Sequence, residues 1–142
     1  MASHWIDRRV VATGLGVVSS LGQEALVFWE NIVAGKCGIR KIAAFDVAAF
    51  TSQIAAEVRD FDPVPFFPSP KEARHADPFT QFATVAAHKA LIDSHLDLKT
   101  ANRDEIGAFV GSGIGGLHTT EEQHKILLVS VLEHECPHRL GG

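Results

Sequence analysis

The sequence contains no apolar run approaching the ~20 residues a membrane-spanning helix needs. Its N-terminus, "MASHWIDRRVV", lacks the apolar core of a secretory leader. A cytoplasmic protein without a membrane partner is therefore expected. Cysteine is scarce. Cys37 and Cys136 cannot build a disulfide framework, and a reducing compartment fits that usage. Excess positive charge is lacking too: 13 Lys and Arg stand against 17 Asp and Glu, for a net charge of -4. Neutralising nucleic-acid phosphates takes clustered cations, so no nucleic-acid partner is expected. Repeats and low-complexity tracts are missing as well.

What is there suits one soluble domain: 142 residues, 46% apolar and 21% charged. Residues 9–13, "RVVAT", form a β-branched run closed by Gly14 and Gly16, and read as a buried strand. Residues 23–34 follow a helical period, with Ala25, Phe28, Trp29, Ile32 and Val33 on one face and Gly35 as the stop. Strand, glycine turn and helix open an α/β unit. Weak alternation around Ile54, Ala56 and Val58 fits a short edge strand. "DPVPFFPSP" holds four prolines in nine residues and must be loop. "KEARHADP" fits a helical turn. Asp77 and Pro78 then read as N-cap and first helical position of a helix reaching about His95. Its inner stripe is Phe79, Ala83, Ala86, Ala90 and Leu91, small enough for a sheet to lie close. "IGAFVGSG", 106–113, reads as a second buried strand. Thr119 and Glu122 sit at capping-box spacing, before a last helix over 120–128. Two buried strands with helices between them predict a parallel sheet, although few strands are visible for a complete one.

"GSGIGG", 111–116, has four glycines in six positions and the outer spacing of a P-loop. A P-loop continues with Lys and then Ser or Thr; here Leu117 and His118 follow. Glu121 and Glu122, expected in the first helical turn, would repel an anion there. Gly14-x-Gly16-x-x-Ser19 lacks the third glycine of dinucleotide folds, and no acid closes a second strand about twenty positions on. Sharp turns at strand ends are the expected role of those glycines.

Four stretches, "RRVVATGLGVVSSLG", "FWENIVAGKCGIRKIAAFD", "KEAR" and "GAFVGSGIGGLHTTEEQ", come in an order and at spacings that resemble the N-terminal portion of a type II β-ketoacyl-acyl-carrier-protein synthase. The likeness covers roughly residues 8–128. It implies part of a thiolase-like αβαβα layered fold, usually dimeric, so a homo-oligomer is expected. It implies transfer of an acyl chain to a cysteine, then attack by a carbanion formed from malonyl carrier protein with help from two histidines. No metal or organic cofactor is implied, and the implied partner is acyl carrier protein.

By that resemblance Ile114 matches a residue lining the acyl pocket; the plainer alternative is a core isoleucine in a turn. Lys71 and Arg74 match a basic patch that docks the acidic carrier; the plainer alternative is a solvated helix face. His75 and Ala76 depart from the family pattern, and Pro78 interrupts its continuous helix. The nucleophile motif, similar to "TACATG", and both histidine motifs are missing from the sequence, so no catalytic residue is assigned and the chain itself is expected to be inactive. Cys37 follows a helix end, the wrong pole for activating a thiol, and is expected to be a small packing residue.

Residues 129–142, "VSVLEHECPHRLGG", depart from the family, as a truncated or frame-shifted reading would. They are expected to form a solvated, poorly ordered tail. His134, Cys136 and His138 would share one face of a strand, but Pro137 and the missing fourth ligand argue against zinc. A non-catalytic module that binds carrier protein or pairs with an intact synthase is the alternative function. Standing alone, the chain is expected to form a tight oligomer or to be poorly soluble.

Overall fold

The computed structural model describes residues 9–135. Four helices lie in chain order: α1 (Ala25–Val33), α2 (Pro70–His75), α3 (Pro78–Asp93) and α4 (Leu117–Glu135). Two short strands, β1 (Arg40–Lys41) and β2 (Ile54–Ala55), pair antiparallel with Arg40 opposite Ala55 and Lys41 opposite Ile54. Short 3-10 turns lie at Val64–Phe66 and Arg103–Glu105.

Glycine ends α1 as the sequence predicts. Gly35 takes φ +66°, and two bonds close the helix, Gly35 N–H to the Ile32 carbonyl and Lys36 N–H to that of Asn31. The start of α2 is a reciprocal cap. Ser69 Oγ accepts from Glu72 N at 3.2 Å and donates to Glu72 Oε1 at 3.0 Å, with Pro70 in the first turn. Asp77 and Pro78 open α3 at the predicted positions. Its fully buried residue is Val85, and the inner stripe is divided between two surfaces.

One of those surfaces receives the first glycine segment. A Cβ on Gly16 would collide with the Ala86 carbonyl and stand 2.7 Å from Ala90 N; on Gly14 it would reach 2.6 Å from Ser94 N. Neither glycine takes a positive φ. Their role is therefore close approach of backbone to helix, and the expected sharp turns are corrected. Leu15 N–H donates to Asp93 Oδ2 at 2.8 Å, pinning the segment between the two glycines. Lys89, also on α3, pairs with Glu24 at 2.5 Å and so holds the start of α1.

The expected strands over 9–13 and 106–113 are not formed, and no parallel sheet lies among the described residues. Val10 is 93% exposed and Phe109 fully exposed. A strand requires a neighbour for its N–H and C=O groups, and among the described residues no strand pairs with either run. The α/β class survives only as helices with a two-stranded ribbon. A compact protein of this mass exposes about 7,100 Å², whereas this chain exposes 12482 Å². Val47, Ala73 and Val85 are the buried apolar residues among those described.

The ribbon has its own clasp. The Glu57 carboxylate accepts from Ala43 N and Ala44 N, each at 3.0 Å, and from Arg59 Nη2 at 2.9 Å. The Ala43 amide first, then the Arg59 side chain, hold its pKa below the usual carboxylate value of 4.5. Because the folded value is depressed, the clasp stabilises the fold above pH 4.5 and is lost as pH falls through the folded value.

Two outcomes follow. Gly16→Ala lowers stability by about 1–3 kcal/mol through overpacking, while Gly113→Ala, where a Cβ meets nothing within 4 Å, changes it by less than about 0.5 kcal/mol. Urea midpoints compare them, and equal losses contradict the seam. The protection of the Ile42 amide, which bonds Gln53 O at 2.9 Å, measured against the unfolded-chain exchange rate at each pH, falls below pH 4.5 in the native chain. Glu57→Gln flattens that acid response; an unchanged profile contradicts the clasp.

Candidate functional site

Three features surround the first turns of α3. On one side lies α2, whose Lys71 and Arg74 stand one helical turn apart and are exposed, while Ala73 between them is buried. Gln81 of α3 fixes this helix. Its Nε2 donates to the Ala73 carbonyl at 2.8 Å and the Ala76 carbonyl at 3.0 Å. Both basic side chains thus project from a helix whose buried side is anchored. Pro78 breaks the chain between α2 and α3, and the glutamine bridges the break.

On the other side lies the glycine loop, 111–116. Gly115 takes φ +81° and packs over the Phe79 ring, where a Cβ would be 3.8 Å from Cζ. Ser112 Oγ accepts from Gly115 N at 3.0 Å and closes the loop on itself. Ile114 stands outward at its tip, 80% exposed. The expected capping box at Thr119 is not formed, because α4 begins at Leu117. Thr119 Oγ1 instead donates to Asp77 Oδ1 at 2.5 Å, and His118 pairs with Glu122 at 3.4 Å.

That start also revises the phosphate argument. Glu121 and Glu122 fall beyond the first turn. The carboxylate at the head of α4 is that of Asp77, lying against Gly116 so closely that a Cβ there would be 2.5 Å from its Cγ. The positive pole of the helix is thus already faced by an internal anion. Asp77 in turn forms no side-chain cap on α3, the helix it begins.

Along α3, closed by Val110, runs an apolar groove of about 370 Å³, lined by Phe79, Ala83, Ala87, His88, Leu91 and Val110 with two threonines. It uses the half of the α3 stripe that Gly14 and Gly16 leave open. The groove was not foreseen from sequence. The i, i+4 spacing of Phe79, Ala83, Ala87 and Leu91 is its only local signal; Val110 comes from a distant segment. A second, polar cavity of about 400 Å³ lies between Ser20, Gly38, Arg40 and Arg59.

Cys37 is exposed in the loop after α1, which corrects the expected packing role: the chain leaves the helix through Gly35 at φ +66°, and no described residue covers the thiol. His134 falls within α4, where strand alternation does not apply, and Cys136 and His138 lie outside the described residues. α4 starts before the expected 120 and passes 128, into the stretch expected to be a loose tail. Among the described residues no three His, Cys, Asp or Glu side chains converge as metal ligands. No described helix is long and apolar enough to cross a membrane.

Comparison with known proteins bears on this arrangement. Residues 7–133 match the family model of the β-ketoacyl synthase N-terminal domain. The chain is 46% identical over 123 residues to 3-oxoacyl-[acyl-carrier-protein] synthase 2 of Coxiella burnetii, covering 87% of this chain and 30% of that protein. It is 41% identical over 122 residues to the enzyme of the same name from Staphylococcus aureus, covering 86% and 29%. Among solved structures it resembles the ishigamide ketosynthase/chain length factor, with a TM-score of 0.68 and 31% identity over 87% of this chain and 30% of that one. The chain thus spans about 30% of the length of the relatives it matches. With α1 to α3, the glycine segments and all but the end of α4 lying within the matched span, the chain belongs to the β-ketoacyl synthase family, in the region of that family's N-terminal domain.

Proposed function

We propose that this chain carries the N-terminal part of a condensing enzyme of fatty-acid synthesis, within a layered αβαβα fold. The whole enzyme would join an acyl group, held on a cysteine, to malonyl carrier protein with loss of carbon dioxide. The observation that carries this reading is the family match over residues 7–133. In this division of labour the chain supplies docking and enclosure. The exposed pair Lys71 and Arg74, on a helix anchored from behind, offers positive charge to an acidic carrier protein. Ile114, exposed next to the Gly115 that packs on Phe79, supplies apolar wall to an acyl chain. The nucleophilic cysteine and the two histidines of the family have no counterpart in this sequence, so condensation itself lies outside this chain.

A second reading is favoured by the uncovered apolar surface. Leu26, Trp29 and Val33 on α1 and Leu127 and Val129 on α4 face solvent. Exposure on this scale marks a surface for another polypeptide, and a non-catalytic module paired with an intact synthase would use it. A homo-oligomer uses the same faces.

Titration with acyl carrier protein tests the docking role. Binding is expected to weaken at least about tenfold in Lys71→Glu/Arg74→Glu, and to fall steeply with salt in the native chain. Binding that ignores both changes contradicts it. Light scattering with and without an intact synthase of the family separates the readings: a mixed complex supports the pairing module, and a complex of this chain alone supports the oligomer.

A further inference from the structure

We infer that Asp77 is a positioning residue that fixes the glycine loop, and with it Ile114, to the first turn of α3. This deepens the reading of Ile114 as pocket wall and rests on it. Asp77 occupies the N-cap position of α3 but gives that helix no side-chain bond. Its carboxylate is engaged elsewhere. It accepts from Thr119 Oγ1 at 2.5 Å, across 42 residues of sequence. It also fills the space beside Gly116, where a Cβ would be 2.5 Å from Cγ and 3.1 Å from Oδ1. Gly116 is therefore a glycine because of Asp77, and Gly115 rests on Phe79 two residues further along α3. The loop is gripped at its C-terminal end by one helical turn, and Ile114 is the first side chain beyond the grip.

The same turn holds α2. Gln81 bonds the carbonyls of Ala73 and Ala76, so residues 77–81 carry the basic helix on one side and the loop on the other. The basic helix and the loop bearing Ile114 share one rigid junction, and Asp77 is the loop's half of it.

Amide exchange on the full chain tests this. In Asp77→Ala and Thr119→Val, the amides of Gly115 and Leu117, which bond Ser112 Oγ and the Gly115 carbonyl, are expected to exchange about tenfold faster, the effect of losing one hydrogen bond to a carboxylate. Asp77→Asn keeps an acceptor oxygen and Thr119→Ser keeps the hydroxyl, so both should stay within about twofold of the native chain. The Ile42 amide lies in the ribbon, which shares no contact with Asp77 or Thr119, and should not change. If Asp77→Ala unfolds the chain, the Thr119→Val and Thr119→Ser pair decides. Loop exchange unchanged in Thr119→Val, or raised equally by Thr119→Ser, overturns the inference. Binding of cis-parinaric acid as a fluorescent acyl probe, compared between the native chain and Ile114→Ser, tests the pocket-wall reading by itself. Its failure would remove that role from Ile114 and leave the exchange result standing.

Discussion

The close approach of Gly14 and Gly16 to α3 at Ala86, Ala90 and Ser94 is the contact on which the rest of the structure depends. It brings an extended segment against a helix at backbone distance, which only glycine facing alanine and serine permits. Once that seam is closed, Leu15 meets Asp93 and Lys89 meets Glu24, which sets α1. At the other end of the helix, Gln81 sets α2 and Asp77 sets the loop before α4. The helix α3 is thus a post with four attachments, each made by a different side chain. The apolar groove is the part of that post left without a cover.

The surface balance explains why so few residues are buried. The two β-branched runs, 9–13 and 106–113, have strand composition but no neighbouring strand among the described residues. Their N–H and C=O groups and side chains face solvent, as do apolar residues on α1 and α4. On the proposed reading these are the surfaces that a whole synthase of the family covers. The relatives matched here are about three times as long as the region shared with this chain, and on the same reading their remaining length supplies that cover.

How much of this was legible in the sequence follows from how local each signal is. Gly35, Ser69 with Glu72, and Asp77 with Pro78 act through their own neighbours, and the helix boundaries they mark were readable or nearly so. The strands were misread because β-branched composition states a preference, whereas a strand exists only with a partner far away in sequence. The capping box at Thr119 failed for a similar reason: Asp77, 42 residues earlier, claims that hydroxyl. The glycines at 14 and 16 were assigned turns, although the small residues at Ala86 and Ala90 held the clue to close packing. Lys71 and Arg74 were placed correctly as exposed helix residues. The division of the α3 stripe into a seam and a groove needed three dimensions, since Val110 closes the groove from a segment with no sequence link to it.

On the proposed reading, this chain holds docking and enclosing surfaces of a condensing enzyme without its reacting sulfur. Incubation of the purified chain with radiolabelled acyl carrier protein and malonyl carrier protein, followed by mass analysis of protein and product, tests it most directly. No 3-oxoacyl product and no acyl thioester on the chain are expected. An acyl group on Cys37 that turns over to product would contradict it.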